Sequence, residues 1–233
     1  MMPSGANRLG TWAAGLLAAT AALALVLAVT TPPRSGPFCT AACIGYPYTD
    51  AAAFVPRDYL WMYPACVMIV LFVVLLACIQ ATVAADRSVS GHVALALATI
   101  AASALLADYA IQLAVLQPSL VKGEAGALSL FSQYNPHGVF IALEEVGYLV
   151  MGVAFGFAAA AVGGADRLHW ALRAVFTLGA ALAIGSLVIL ALLFGLDLEY
   201  RYEVAVITID WTTLIVVGGL LAVAFRRHGR STN

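Results

Sequence analysis

The sequence predicts an all-α, polytopic integral membrane helical bundle with six transmembrane helices, both termini cytoplasmic and residues 1–233 in a single transmembrane domain. Three observations carry the prediction. Hydrophobic residues make up 63% of the 233 and charged residues 10%, a balance that water-soluble domains of this length do not show. The apolar residues gather into six blocks, each near the roughly 20 residues of helix that cross a hydrocarbon core about 30 Å thick. The few Lys and Arg lie between the blocks, not inside them. A net charge of -1 with no basic patch sets nucleic-acid binding aside and leaves the lipid bilayer of the cell membrane as the expected surroundings.

The blocks run over 12–30, 59–83, 93–116, 138–162, 170–196 and 204–225. The first follows Arg8 and has small residues near its end, as a secretory signal does. It exceeds the usual apolar core of about 7–15 residues and has no clean cleavage motif, so it reads as a retained helix. With the N-terminus inside, Arg8, Arg87, Arg167, Arg173, Arg226, Arg227 and Arg230 are cytoplasmic, while Arg34, Arg57, Lys122 and Arg201 are outside. Seven inside against four outside satisfies the positive-inside rule and places both termini in the cytoplasm.

The outer connections, 31–58 and 117–137, are long. The first carries Cys39 and Cys43, four residues apart on the oxidising side, and they read as a disulfide candidate. Pro56, Asp58, Tyr59, Trp61 and Tyr63 suit a helix start with an interfacial aromatic belt, and Pro64 is expected to kink the second span. The second connection mixes Leu120, Val121, Leu128, Leu130 and Phe131 with polar residues. It is expected to lie half-buried in the interface and roof the bundle, with Asn135-Pro136 as cap and first residue of the fourth span.

Asp86-Arg87 and Asp166-Arg167 lie in the two inner loops, 80 residues apart, as do Pro56 and Pro136, which hints at a duplicated helical hairpin. Gly152 and Gly156, Gly179 and Ala183, and Gly218-Gly219 are small-residue stripes for close helix packing; joining two copies into a homodimer is the other use such stripes serve. Arg226-Arg227-His228-Gly229-Arg230 stops the last span and suits anionic lipid.

Four acids fall inside the spans: Asp108, Glu144, Glu145 and Asp210. A carboxylate at mid-span costs about 2.5–3.5 kcal/mol to insert, and no span interior holds Lys or Arg to pair with one. Asp108 stands eight residues from its span's outer end, about 12 Å, and Glu144 and Asp210 six residues from theirs, about 9 Å. The four therefore read as one layer in the outer half, with either Glu144 or Glu145 central. Helical spacing offers Tyr109 and Gln112 as partners of Asp108, Tyr148 of both glutamates and Thr213 of Asp210. His137 and Tyr63 complete the expected binding residues, around a cavity opening outward between the second, third, fourth and sixth spans.

Hydrogen bonds between protonated acids and Tyr, Gln or Thr would hold helices together, but at about 0.6 kcal/mol each they fall short of the insertion cost. The expected function is acid/base chemistry on, or binding of, a lipid or isoprenoid-like substrate, with Asp108, Glu144, Glu145 and Asp210 as catalytic carboxylates. Proton- or cation-coupled transport of a small solute is the alternative, and a non-catalytic accessory subunit of a membrane complex is a third. A metal held by His137, Glu144 or Glu145 and Asp210 is not expected, since a His at a helix start is ordinarily interfacial. No phosphate-binding loop, Ser-His-Asp order or CxxC motif is present, and no cofactor is expected.

Overall fold

The computed structural model describes residues 4–124 and 128–231. Eight α-helices occur among them: α1 Ser4–Val29, α2 Met62–Gln80, α3 Ser88–Ala110, α4 Gln117–Lys122, α5 Leu128–Phe131, α6 Val139–Ala161, α7 Arg167–Phe194 and α8 Glu199–Ser231. Six helical segments are long and apolar enough to cross a membrane: those of α1, α2, α6, α7 and α8, and one formed by α3 together with α4. Their apolar outer faces support the same placement. On α7 the side chains of Leu178, Leu182, Val188, Ile189, Leu192 and Leu193 stand exposed, which hydrocarbon tolerates and water does not.

Each spanning helix packs on its neighbour in sequence, and α1 packs on α8 to close the ring, while α6 also reaches across to α8 and α2. The ring brings the two ends of the chain together: a Cβ at Gly10 would meet the ring of Phe225. The other end carries the Cys39–Cys43 disulfide, with Cα atoms 5.9 Å apart. These are called the terminal end and the disulfide end below.

Small residues set the packing distances. Ala14, Leu17, Ala21 and Ala24, spaced to share one face of α1, are fully buried. A Cβ at Gly218 would sit 2.7 Å from the Ala14 carbonyl oxygen, one at Gly152 2.6 Å from the Ala183 methyl, and one at Gly147 2.6 Å from Leu105. The glycine stripes are thus used inside the bundle, where close backbone approach replaces a hydrophobic driving force.

Several boundaries differ from the sequence reading. α2 begins at Met62, so Pro64 falls in its first turn, where no backbone donor is required. α3 does not stop at 116 but runs through a π-helical turn, Ile111–Leu116, into α4. Pro118 explains the wide turn: it cannot donate to the carbonyl four residues back, and widening the helix relieves the clash. Gly123, at φ +73°, then ends the helix.

Asn135-Pro136 does not open α6. Gly138 is the N-cap, and Asn135 instead ties the preceding turn, accepting from the His137 backbone N–H at 3.0 Å and donating to the Ser129 carbonyl at 2.8 Å. α8 starts at Glu199, five residues before the expected 204. At the terminal end the two Asp-Arg loops are used differently. Arg87 donates to the Val162 carbonyl at 3.1 Å, whereas Asp166 caps α7 by accepting from the His169 backbone N–H at 2.9 Å, which holds its carboxylate below the ordinary range. The side chains of Leu128, His228 and Arg230 lie outside the described residues.

Gly218 and Gly219 test the packing account as an adjacent pair. Gly218→Val is expected to lower stability by about 1–3 kcal/mol through overpacking against α1. Gly219, with nothing within 4 Å of a Cβ, is expected to tolerate the same change with little loss. Thermal unfolding of both variants in detergent checks this; equal losses would count against it.

Candidate functional site

Glu144 is the centre of the buried polar structure. It lies on the face of α6 turned toward α3 and α8 and is fully buried. Tyr109 of α3 donates its hydroxyl proton to Glu144 Oε1 at 2.6 Å, and its oxygen lies 2.7 Å from the Tyr148 hydroxyl. Trp211 of α8 donates its indole N–H to the Tyr148 oxygen at 3.0 Å. Glu203, also on α8, stands beside the Glu144 carboxyl. The result is a polar loop that leaves α8 at Glu203, passes through Glu144, Tyr109 and Tyr148, and returns to α8 at Trp211.

Both ends of this loop line a cavity of about 450 Å³ at the disulfide end. One side of it is Leu25, Ala28 and Val29 of α1; the facing side is Val204, Ile207 and Thr208 of α8. Val29, Val204 and Thr208 at the α1–α8 seam, and Pro32, Pro33 and Phe38 of the first connection, are the lining residues exposed at the surface, so the cavity's rim runs from the seam up to that connection. Trp61 and Trp211, with ring centroids 5.9 Å apart, form its inner wall.

The two connections at the disulfide end cover the cavity, and specific bonds hold them in place. Asp58, almost wholly buried, accepts on Oδ2 from Arg34 Nε and from the Tyr134 hydroxyl, both at 3.1 Å, and the Arg34 guanidinium lies 3.9 Å from the Phe54 ring centre. Burial first, then the neighbouring Tyr59 and Asp58, push the Tyr134 hydroxyl above the ordinary tyrosine range, so it remains a donor. Tyr200 at the start of α8 donates to the Gln133 carbonyl at 2.8 Å and lies 2.9 Å from Ser35 Oγ, which donates to the Tyr134 carbonyl at 2.6 Å. Gly36 permits this approach: its φ is +67° and a Cβ there would strike the Tyr200 ring.

Of the residues expected from the sequence, Glu144, Tyr109 and Tyr148 meet directly. Asp108 is buried beside them within electrostatic range of Glu144, and Gln112 is buried but donates to the Phe131 carbonyl at 2.5 Å, bracing the π-helical turn. Glu145 is turned about 100° away and is only half-buried, so Glu144 is the central one of the pair. Asp210 does not join the layer. Because α8 starts at Glu199, Asp210 lies eleven residues in, about 16 Å, and it faces Gly152 of α6, a Cβ on which would be 3.7 Å from its Oδ1. Thr213 does not bond it; both Asp210 carboxyl oxygens are buried without a partner.

His137 and Tyr63 are exposed and are not brought into the cluster, His137 because it sits in the turn before α6 and Tyr63 because it occupies the outer face of α2. Of the helices expected around the cavity, α6 contributes Phe140 and α8 contributes Glu203 to Trp211, while α1 supplies the wall facing α8. Among the described residues, no three His, Cys, Asp or Glu side chains converge as metal ligands.

The sequence reading gave neither Glu203 nor Asp58 to the site: Asp58 reads as part of a helix start, and Glu203 falls just outside the 204–225 span. The available signal was spacing: Glu203 and Asp210 are seven apart, hence on one helix face, once α8 is allowed to begin earlier. Compared with protein-family models, curated proteins and solved structures, the chain matches none.

Tyr109→Phe removes the donor to Glu144 and is expected to cost about 1–3 kcal/mol, the range for leaving a buried acceptor unsatisfied. Tyr148→Phe breaks the same chain, so the double variant is expected to lose less than the sum of the single losses. Unfolding in mixed micles of the four proteins supplies the coupling; strict additivity would show that the two hydroxyls act independently.

Proposed function

We propose that this multi-pass membrane protein admits a lipid-like molecule sideways from the bilayer, between α1 and α8, and performs acid/base chemistry on it with Glu203 as the proton-exchanging group. The observation that supports this most is the make-up of the cavity at the disulfide end: apolar residues at the helix seam and a carboxyl–tyrosine–indole loop at its inner wall. A volume of about 450 Å³ falls within the roughly 300–1,000 Å³ range of small-ligand sites. Glu203 would meet the substrate, Glu144 would exchange a proton with it, and Tyr109 and Tyr148 would position Glu144. Orientation by the positive-inside rule puts this site in the outer half of the cell membrane. The disulfide end is then the oxidising side, which accords with the Cys39–Cys43 bridge.

Photolabelling in nanodiscs with an uncharged long-chain alcohol carrying a diazirine is the direct test. Labelling of Ile207 and its neighbours is expected in the native protein. In Ala28→Trp, where an indole plugs the mouth, it is expected to fall at least tenfold, while Glu203→Gln retains it. Label confined to the outer face of α7 would overturn the proposal.

Transport has one observation in its favour. Asp210 lies deep in the bundle with both oxygens unsatisfied, and a second cavity of about 260 Å³, lined by Asn7, His169 and Phe225 among others, lies at the terminal end. The two cavities share no lining residue, and Phe72, Phe155 and Phe176 pack in the buried core with ring centroids 5.5 and 5.8 Å apart. This closed arrangement is why the lipid-site reading is preferred. In liposomes, Asp210→Asn is expected to leave proton uptake at the level of the native protein; a clear drop would favour transport.

A further inference from the structure

Asp58 and Glu203 line the cavity at least nine-tenths buried, and each keeps one carboxyl oxygen that no protein group satisfies. Their electrostatic situations differ. Asp58 is neutralised by Arg34, the one basic side chain among the lining residues, and Arg34 is further committed to the face of Phe54. Glu203 has no such partner: the groups acting on it are Glu144, Glu145 and Asp108, all acids. The wall beside it is aromatic, formed by Trp61, Trp211, Phe140, Tyr134 and Tyr200. Indole and phenol faces attract cations through the negative potential of the ring, and desolvated contacts of this kind are worth up to about 2 kcal/mol.

We infer that the ligand of this cavity is a lipid-like cation, an alkylated or quaternary ammonium head on an apolar chain. The head lies against the aromatic wall beside Glu203, and the chain leaves between α1 and α8. The inference rests on the lateral-entry reading given above and adds to it the charge of the ligand. Glu144, Glu145 and Asp108 stand around Glu203 and Arg34 is already paired, so an anionic head would find no free cation among the lining residues. A neutral head would gain nothing from the ring faces or from the charge of the acids. A permanent cation compensates the acids and needs no hydrogen-bond geometry.

The test uses the full chain in nanodiscs and competition against the diazirine alcohol. Two competitors are compared: dodecyltrimethylammonium and its uncharged isostere, in which a carbon replaces the nitrogen. The cation is expected to displace the label at a concentration at least about tenfold lower, corresponding to part of one cation–π and charge contact. In Glu203→Gln the difference is expected to shrink to within about threefold. Equal competition by both compounds on the native protein overturns the inference while leaving the lateral site standing, whereas absence of pocket labelling from the start sinks the lateral site itself. A preference undiminished in a folded Glu203→Gln variant would overturn the role given to Glu203. Should that variant not fold, the comparison on the native protein still decides the charge of the ligand, and Trp61→Leu, expected to reduce the preference, probes the aromatic wall.

Discussion

A polar group inside a bilayer has no water to bond, so a buried carboxyl is tolerated only where other parts of the protein come to it. Glu144 imposes that demand here, and three helices are held in register by meeting it. Tyr109 brings α3, Tyr148 lies one turn further along α6, and Trp211 and Glu203 bring α8 from two points eight residues apart. The close α3–α6 approach at Gly147 falls within this cluster along α6, and the α6–α7 approach at Gly152 one turn beyond Tyr148. Polar bonding and small-residue packing therefore fix the same helix, one by reach and the other by backbone distance.

The cavity follows from that arrangement. It lies where Leu25, Ala28 and Val29 of α1 face Val204, Ile207 and Thr208 of α8, beside the turn that carries Glu203. Further toward the terminal end Gly218 draws α8 onto Ala14, and the seam is closed. The cavity beside Glu203 lies at the disulfide end. There the Arg34–Asp58–Tyr134 and Ser35–Tyr200 ties hold the two connections over it, so the roof is built from specific polar contacts and not from loop length alone.

The parts of the site that were legible in the sequence were those set by local spacing. Tyr109 beside Asp108 and Tyr148 after Glu144 are neighbours on their own helices, and the helical repeat places them without knowledge of the fold. Residues whose role depends on a partner from another helix were not legible. Asp58 and Glu203 sit near span ends where an acid is ordinarily solvated, and only the approach of Arg34 and Tyr134, or of Glu144, makes them interior groups. Asp210 erred in the other direction. A span end misplaced by five residues moved it about 8 Å along the helix axis, out of the Glu144 layer.

The sequence by itself determined the class of molecule, the six spans and the presence of acids that hydrocarbon would not hold without cause. These depend on composition and on the thickness of a bilayer, which are properties of short stretches of chain. Which glutamate of the 144–145 pair faces inward, which helices form the mouth and which loop acids become part of the wall were decided only by tertiary structure. The reason is that a ring of helices can be closed with many rotations of each member, and the choice among them rests on contacts between residues far apart in sequence, such as Ala14 with Gly218 and Tyr109 with Glu144.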